Sequence, residues 1–121
     1  MAEKNRLRRT ISRWADSTDQ EVRDLRKAHH AEPSHTRIGE APDRERVRLR
    51  GTLQTVTLRP RGGVPALEAE LSDGTGVITI VWLGRRRITG IGPGRSLSVE
   101  GRIGQQGGQR ILFNPRYELI P

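Results

Sequence analysis

The sequence predicts an all-β domain of five antiparallel strands closed into a barrel, preceded by a short α-helical extension. Three observations support this class. All but one of the 14 glycines lie after residue 50, apolar residues alternate with polar ones from residue 46 onward, and apolar residues before residue 30 recur at helical spacing. Period-two alternation is typical of half-buried strands, and glycine marks the turns between them. We therefore divide the chain into a helical extension (1–31), a linker (32–45) and a β-domain (46–121).

The helical extension carries one short apolar stripe: Leu7, Ile11, Trp14, Val22 and Leu25. This spacing places the five residues on one face of a helix, or of two consecutive helices. Thr18 and Glu21 have the spacing of a capping box, which predicts a helix start near Thr18. A stripe this short either packs on the barrel, pairs with a second copy or frays. We predict packing or partial disorder ahead of pairing.

The five strands follow from the alternation in the β-domain. The first begins at Arg46, and its apolar positions change parity after Gly51, which predicts a bend. The loop RPRGGVP leads to the second strand ALEAELS, and the tight turn DGTG joins it to the third, VITIVWL, so that the three form a meander. After a glycine-rich segment with room for one short helix, RSLSVEGRI and RILFNPRYELI supply the fourth and fifth strands.

A long bent first strand, an irregular insertion after the third strand and glycine loops after the first and fourth together describe the Greek-key OB-fold barrel. The segments Arg50-Gly51, LSDGTGVITIVW, GIGPGRSLSVEGRI and FNPRYELI resemble OB domains of the tRNA-anticodon type. They are most similar to the wedge domain of RecG-type branch-migrating helicases, over the whole of 46–121. The chain also resembles small uncharacterised OB-fold proteins of actinobacteria. It contains no G-x-x-x-x-G-K-[ST] pattern, so the resemblance implies a binding module without a motor.

The charge of the chain favours an anionic partner. The formal net charge is +8, and the basic residues are 20 Arg and 2 Lys. Residues 46–121 hold twelve of them against five acidic residues, whereas residues 1–45 hold ten against nine. The guanidinium group binds phosphate oxygens bidentately, which favours nucleic acid. An arginine-rich, well-solvated surface explains the same composition, so the positions of the arginines have to decide.

Two loops of the predicted barrel carry candidate phosphate ligands. OB barrels usually bind through the face of their second and third strands and through the loops that join strands one to two and four to five. The resemblance therefore implies contacts from Arg59 and Arg61 in the first of these loops, and from Arg102 and Arg110 around the second. A solvated surface arginine is the alternative at each position.

Two further sets of arginines are candidates because of their spacing. One is predicted to form an outward row on the first strand, because its members alternate with Val47 and Leu49: Arg46, Arg48 and Arg50. The other follows the third strand directly: Arg85, Arg86 and Arg87. Three adjacent like charges repel one another unless an anion neutralises them, which favours phosphate binding. The alternative is that this run caps a short helix.

The β-domain has few aromatic residues: Trp82, Phe113 and Tyr117. Proteins that bind single strands stack bases on exposed rings. Trp82 shares its parity with Ile78 and Ile80, so we predict a core position, with a stacking platform as the alternative. The outward positions of the same strand are predicted to form an aliphatic patch suited to a protein partner: Val77, Thr79 and Val81.

Other chemistries have little support in the sequence. The chain has no cysteine, and His29, His30 and His35 lack the spacing of a metal site, so we predict a solvated histidine cluster, no metal and no cofactor. No nucleophile and base are paired in the pattern, so we predict a protein without enzyme activity. No signal peptide or membrane span is apparent, and we expect a cytoplasmic monomer.

The predicted function is therefore a sequence-tolerant nucleic-acid-binding module that acts as an accessory in DNA or RNA metabolism. Discrimination between DNA and RNA depends on contacts to the 2′-hydroxyl, which no motif here announces. The alternative is a protein-interaction module that docks onto a larger complex through the barrel face or the N-terminal helix.

Overall fold

A computed structural model of the chain describes residues 19–29 and 35–121. Residues 19–28 form helix α1, and a 3-10 turn follows at Ile38–Glu40. The remaining elements are seven strands: β1 (Arg46–Leu58), β2 (Ala66–Ser72), β3 (Val77–Leu83), β4 (Ser96–Arg102), β5 (Gly104–Gln106), β6 (Gln109–Phe113) and β7 (Arg116–Leu119). The predicted stripe residues Leu7, Ile11 and Trp14, and Thr18 of the capping box, lie outside the described residues.

The seven strands form one sheet in the order β5-β6-β3-β2-β1-β4-β7. Neighbouring strands are antiparallel except β3 and β6, which are parallel. The prediction of a mainly β domain with a helix before it is confirmed. The prediction of five strands closed into a barrel differs from the structure, because the sheet has seven strands and its hydrogen-bond ladder ends at β5 and β7.

The additional strands have local causes. β5 lies in the segment predicted as a turn, where Gly107 and Gly108 (φ 59° and 78°) close a tight hairpin onto β6. The predicted fifth strand is divided because Asn114 has a positive φ of 48° and Pro115 has no N–H for the ladder. β6 and β7 are therefore separate strands with only these two residues between them.

Strand β1 is bent, as its change of parity predicts, but the bend lies further along the strand than Gly51. The register with β2 shifts between Leu53 and Thr55, so Gln54 is the extra residue of a β-bulge. Gly51 serves a different purpose, because a Cβ there would lie 2.7 Å from the Ser72 carbonyl oxygen. β1 pairs with β4 through its first half and with β2 through its second.

The core is enclosed by the bent sheet and includes part of the predicted linker. Val47, Leu49 and Leu53 of β1 pack with the inward residues of β2, β3 and β4. Ile38 is completely buried in the same cluster, and Ala41 is buried beside it. Removing an isoleucine side chain from water stabilises a fold by roughly 2–3 kcal/mol. The chain division at residues 31 and 45 stays a prediction, but these residues before Arg46 already contribute to the core.

The turn between β2 and β3 is organised by one buried carboxylate. Asp73 accepts hydrogen bonds from the Thr75 backbone N–H (2.9 Å) and hydroxyl (2.6 Å), which is the local engagement that a D-G turn predicts. Its other oxygen accepts the N–H of Ile38 (2.9 Å). The DGTG motif therefore fixes its own turn and attaches the segment before β1 to the sheet.

Helix α1 packs on the same turn. Arg26 donates from Nε to the Gly74 carbonyl (3.0 Å), and a Cβ on Gly74 would lie 2.7 Å from the Val22 carbonyl oxygen. His29, directly after α1, places Nε2 2.6 Å from the hydroxyl of Thr52 on β1. Over the described part of the chain, no helix has the length and apolar character needed to cross a membrane.

Candidate nucleic-acid interface

One end of the sheet brings the β1–β2 loop beside the segment that follows β3. The loop closes through a bridge between Arg61 and Val64 across two glycines with positive φ. The Gly84 N–H donates to the Pro65 carbonyl (2.7 Å), which holds the start of the β3–β4 segment against this loop. The fold therefore brings the loop that carries Arg59 next to the segment that carries three further arginines, and these four residues are here named the loop-end cluster: Arg59, Arg85, Arg86 and Arg87.

The three consecutive arginines of the loop-end cluster are exposed, and within the described residues none of them makes a hydrogen bond or an ion pair. Residues 84–95 contain turns closed by Ile91 N–H to Ile88 and Arg95 N–H to Gly92, and no helix. The alternative in which the run caps a short helix is therefore wrong. Three guanidinium groups without a neutralising carboxylate remain available to an anion.

Arg61 is held by protein contacts on the outer face of the sheet. Its guanidinium bonds the Glu68 carboxylate from Nε (2.9 Å) and from a terminal nitrogen, and bonds Gln106 from the other (2.9 Å). It also lies over the Phe113 ring, 5.7 Å from the centroid. Arg59 approaches the same carboxylate from 3.7 Å but is far more exposed. Arg59 is therefore the freer of the two predicted loop ligands.

The outward row on β1 has the orientation predicted from its alternation. Arg46 and Arg48 are exposed and Arg50 is half-buried, whereas Val47 and Leu49 are buried between them. Arg46 pairs with Glu100 of β4 through Nε and a terminal nitrogen, both at 3.1 Å.

Sequence reasoning did not single out Arg116. Arg116 on β7 lies opposite Glu100, which lies opposite Arg48 on β1, so β-register brings two arginines to either side of one carboxylate. The alternation in RYEL indicates that Arg116 faces outward. Only the pairing of β7 with β4 shows that Arg116 lies near the arginines of β1.

Arg102 and Arg110 hold the segment that precedes β1. Arg102 donates from Nε to the Arg44 carbonyl (2.8 Å), and Arg110 donates to the Ala41 carbonyl (3.0 Å). These bonds satisfy backbone acceptors in a segment without regular structure. The two side chains thus have a structural use apart from the phosphate contacts predicted for them.

The outer face of β2 and β3 is polar and partly acidic. A depression of about 100 Å³ there is lined by Thr55, Thr57, Arg59, Glu68, Glu70, Thr79 and Gln109. Glu68 is paired with Arg61, and Glu70 is the other carboxylate of this face. The face therefore offers a phosphate backbone little attraction, whereas the exposed arginines at its loop end attract one. Charge therefore favours contact at the loops over contact along the strands.

Trp82, Phe113 and Val81 differ in how far the sheet leaves them exposed. Trp82 is 4% exposed and packs edge-on against Tyr117, with centroids 5.6 Å apart, so it lies in the core as predicted and has no face free for stacking. Phe113 is exposed and lies under Arg61. Val81 lies on the face opposite Ile80 and Trp82, as its parity predicts, but it packs with Ala66 and Ile111 and is completely buried, so it adds nothing to the predicted aliphatic patch.

The histidines are not the solvated cluster predicted from sequence. His29 is 7% exposed, and burial together with Arg50 lowers its pKa below the ordinary value of 6.5, while Asp73 opposes the change. His35 lies 2.9 Å from the Ser98 hydroxyl, and His30 lies outside the described residues. Among the described residues, no three His, Cys, Asp or Glu side chains group closely enough to hold a metal ion.

Comparison with known proteins shows a structural similarity. No protein-family model and no curated protein sequence matches the chain. The chain is similar in structure to part of the protein in "Structure of RecG bound to three-way DNA junction", with a TM-score of 0.54 and 19% identity. The match covers 77% of this chain but 14% of that one. The similarity therefore concerns the fold of one segment of a much longer protein.

Proposed function

We propose that this chain is an OB-type nucleic-acid-binding module that contacts the phosphate backbone through the loop-end cluster. It tolerates many sequences, works as a cytoplasmic accessory in DNA or RNA metabolism and has no catalytic activity. In this proposal β6 and β7 are the two halves of one interrupted barrel strand. The parallel pairing of β6 with β3 and the antiparallel pairing of β7 with β4 support this interpretation.

The observation that carries the proposal is the exposure of Arg85, Arg86 and Arg87, in a segment held against the loop that carries Arg59. Their charges have no hydrogen-bonded or ion-paired neighbour among the described residues, apart from the 3.7 Å approach of Arg59 to Glu68. Exposed arginines on two adjoining loops match the repeated charge of a phosphate backbone. The similarity to a segment of a protein solved on a DNA junction supports the same conclusion.

Binding through phosphates has a characteristic salt dependence that tests the proposal. A panel of fluorescent single-stranded, duplex and three-way-junction oligonucleotides is titrated with the full chain at several salt concentrations. If six or more phosphates are contacted, affinity falls by about a thousandfold or more between roughly 50 and 200 mM salt. Failure to bind every oligonucleotide at the lowest salt would show that the proposal is wrong.

A second candidate function, docking onto a protein, is favoured by apolar side chains near the loop-end cluster. Leu58 ends β1, Val64 lies in the β1–β2 loop and Leu83 ends β3, and all three are exposed. Binding to such a partner depends on apolar burial and has little of the salt dependence of counterion release. The salt series therefore separates the two functions.

A further inference from the structure

The outer face of β1, β4 and β7 forms a second basic surface. Two adjoining depressions of about 220 and 340 Å³ lie on it, and both are bordered by Arg48, Ser98 and Glu118. Arg116 and Tyr117 border the first, and His35 and Arg50 border the second. We name this surface the outer-row groove.

The charges in the outer-row groove are only partly neutralised. Glu100 is bonded by Arg46, and it also separates Arg48 from Arg116 in the strand register. Arg48 and Arg116 are exposed, and within the described residues neither side chain makes a hydrogen bond or an ion pair. Glu118 is the other carboxylate of the groove, so the arginines remain in excess and the groove complements an anion.

The outer-row groove is separated from the loop-end cluster along the bent strand β1. Arg48 and Arg59 are eleven residues apart in sequence, on either side of the bulge at Gln54 where β1 changes partner. His29, after helix α1, packs on Thr52 between them. Part of the protein therefore lies over the strand between the two sets of arginines.

We infer that the outer-row groove is a second phosphate-binding site and that one copy of the chain joins two separate nucleic-acid segments. This inference rests on the proposed function, because the first segment occupies the loop-end cluster. Arg48 and Arg116 contact the backbone of the second segment, with the groove complementing its charge.

Bridging of two short duplexes tests the inference. Donor-labelled and acceptor-labelled hairpin duplexes of 8 base pairs, about 27 Å long at 3.4 Å per pair, serve as the two nucleic-acid segments. They are mixed at low salt and titrated with the full chain. Anisotropy reports binding of one duplex, and energy transfer reports two duplexes on one protein. We expect energy transfer to rise and then to fall when excess protein separates the duplexes.

Two double variants make the test specific. R48Q/R116Q is expected to keep the anisotropy change and to lose energy transfer, while its melting temperature confirms the fold. R23Q/K27Q removes the same charge from exposed positions on α1, away from both sites, and is expected to keep both signals. Anisotropy without energy transfer in the wild type overturns the inference and leaves the proposed function standing. Energy transfer that persists in R48Q/R116Q also overturns it, since bridging then comes from another surface or from paired copies. Absence of both signals contradicts the proposed function itself.

Discussion

At the scale of single residues, Asp73 connects the β2–β3 turn to the segment before β1. Its carboxylate accepts three hydrogen bonds while the residue is 3% exposed, so a substitution leaves donors buried without partners. The Asp73 of the DGTG motif therefore stabilises the fold. It orders Ile38 and with it one wall of the core.

Replacement of Asp73 tests this role. We expect Asp73→Ala to lower the free energy of unfolding by about 2–4 kcal/mol, since it removes charge-assisted hydrogen bonds and leaves their donors without partners. Asp43→Ala is the matched control, because Asp43 is exposed and accepts one bond, from Gln105. The control is expected to change stability by less than about 0.5 kcal/mol. Equal effects in urea denaturation would contradict the role of Asp73.

His29 predicts a pH dependence of stability. Burial and Arg50 lower the pKa of His29 in the folded protein. At a pH between that pKa and 6.5, His29 is therefore protonated in the unfolded chain and neutral in the folded chain. Stability is therefore fully present above pH 6.5 and is lost as the pH falls toward the folded pKa. Thermal melts of wild type and His29→Gln from pH 7.5 to 5 measure the difference. A wild-type melting temperature that falls no more than that of the variant would contradict this account.

Trp82 separates a structural from a binding role. As a core residue, its replacement by alanine is expected to cost about 3–5 kcal/mol of stability. Oligonucleotide affinity, measured at a temperature where the variant is still folded, is expected to stay near the wild-type value. If the Trp82→Ala variant is instead stable but loses affinity for oligonucleotides, the ring contacts nucleic acid and the core role is contradicted.

At the scale of elements, the alternation predicted the three strands of the meander and the bent first strand. The points at which a strand bulges or is interrupted were harder to predict, because they depend on which backbone groups form hydrogen bonds between strands. Gln54 bulges where β1 changes partner from β4 to β2, and Pro115 interrupts a run whose apolar pattern continues past it. The burial of Val81 depends on β6, a strand 30 residues later in the chain that covers it.

The segment before β1 provides the test at this scale. We expect a truncation that begins at residue 35 to fold cooperatively with reduced stability, because it loses α1 and the His29–Thr52 contact but keeps Ile38. A truncation that begins at residue 46 also loses Ile38 and Ala41, and we expect it to lose cooperative unfolding. Thermal denaturation followed by circular dichroism measures both. Similar melting of the two truncations would contradict a core role for this segment.

At the scale of the whole molecule, the sequence predicted which arginines face outward but could not tell which are available. Arg85, Arg86 and Arg87 make no hydrogen bond or ion pair among the described residues, whereas Arg61, Arg102 and Arg110 bond groups distant in sequence. Those partners are brought close only by the fold, so no local pattern announces them. Arg116 was missed for the same reason.

The salt dependence of the variant R85Q/R86Q/R87Q tests the central claim most directly. If these arginines bind phosphates, we expect weaker binding across all oligonucleotides and a log–log salt slope reduced in magnitude by up to about 3. The melting temperature should stay near that of the wild type. The control R23Q/K27Q/R37Q removes three exposed charges from other positions and should keep the wild-type slope. A wild-type slope in folded R85Q/R86Q/R87Q would contradict the claim.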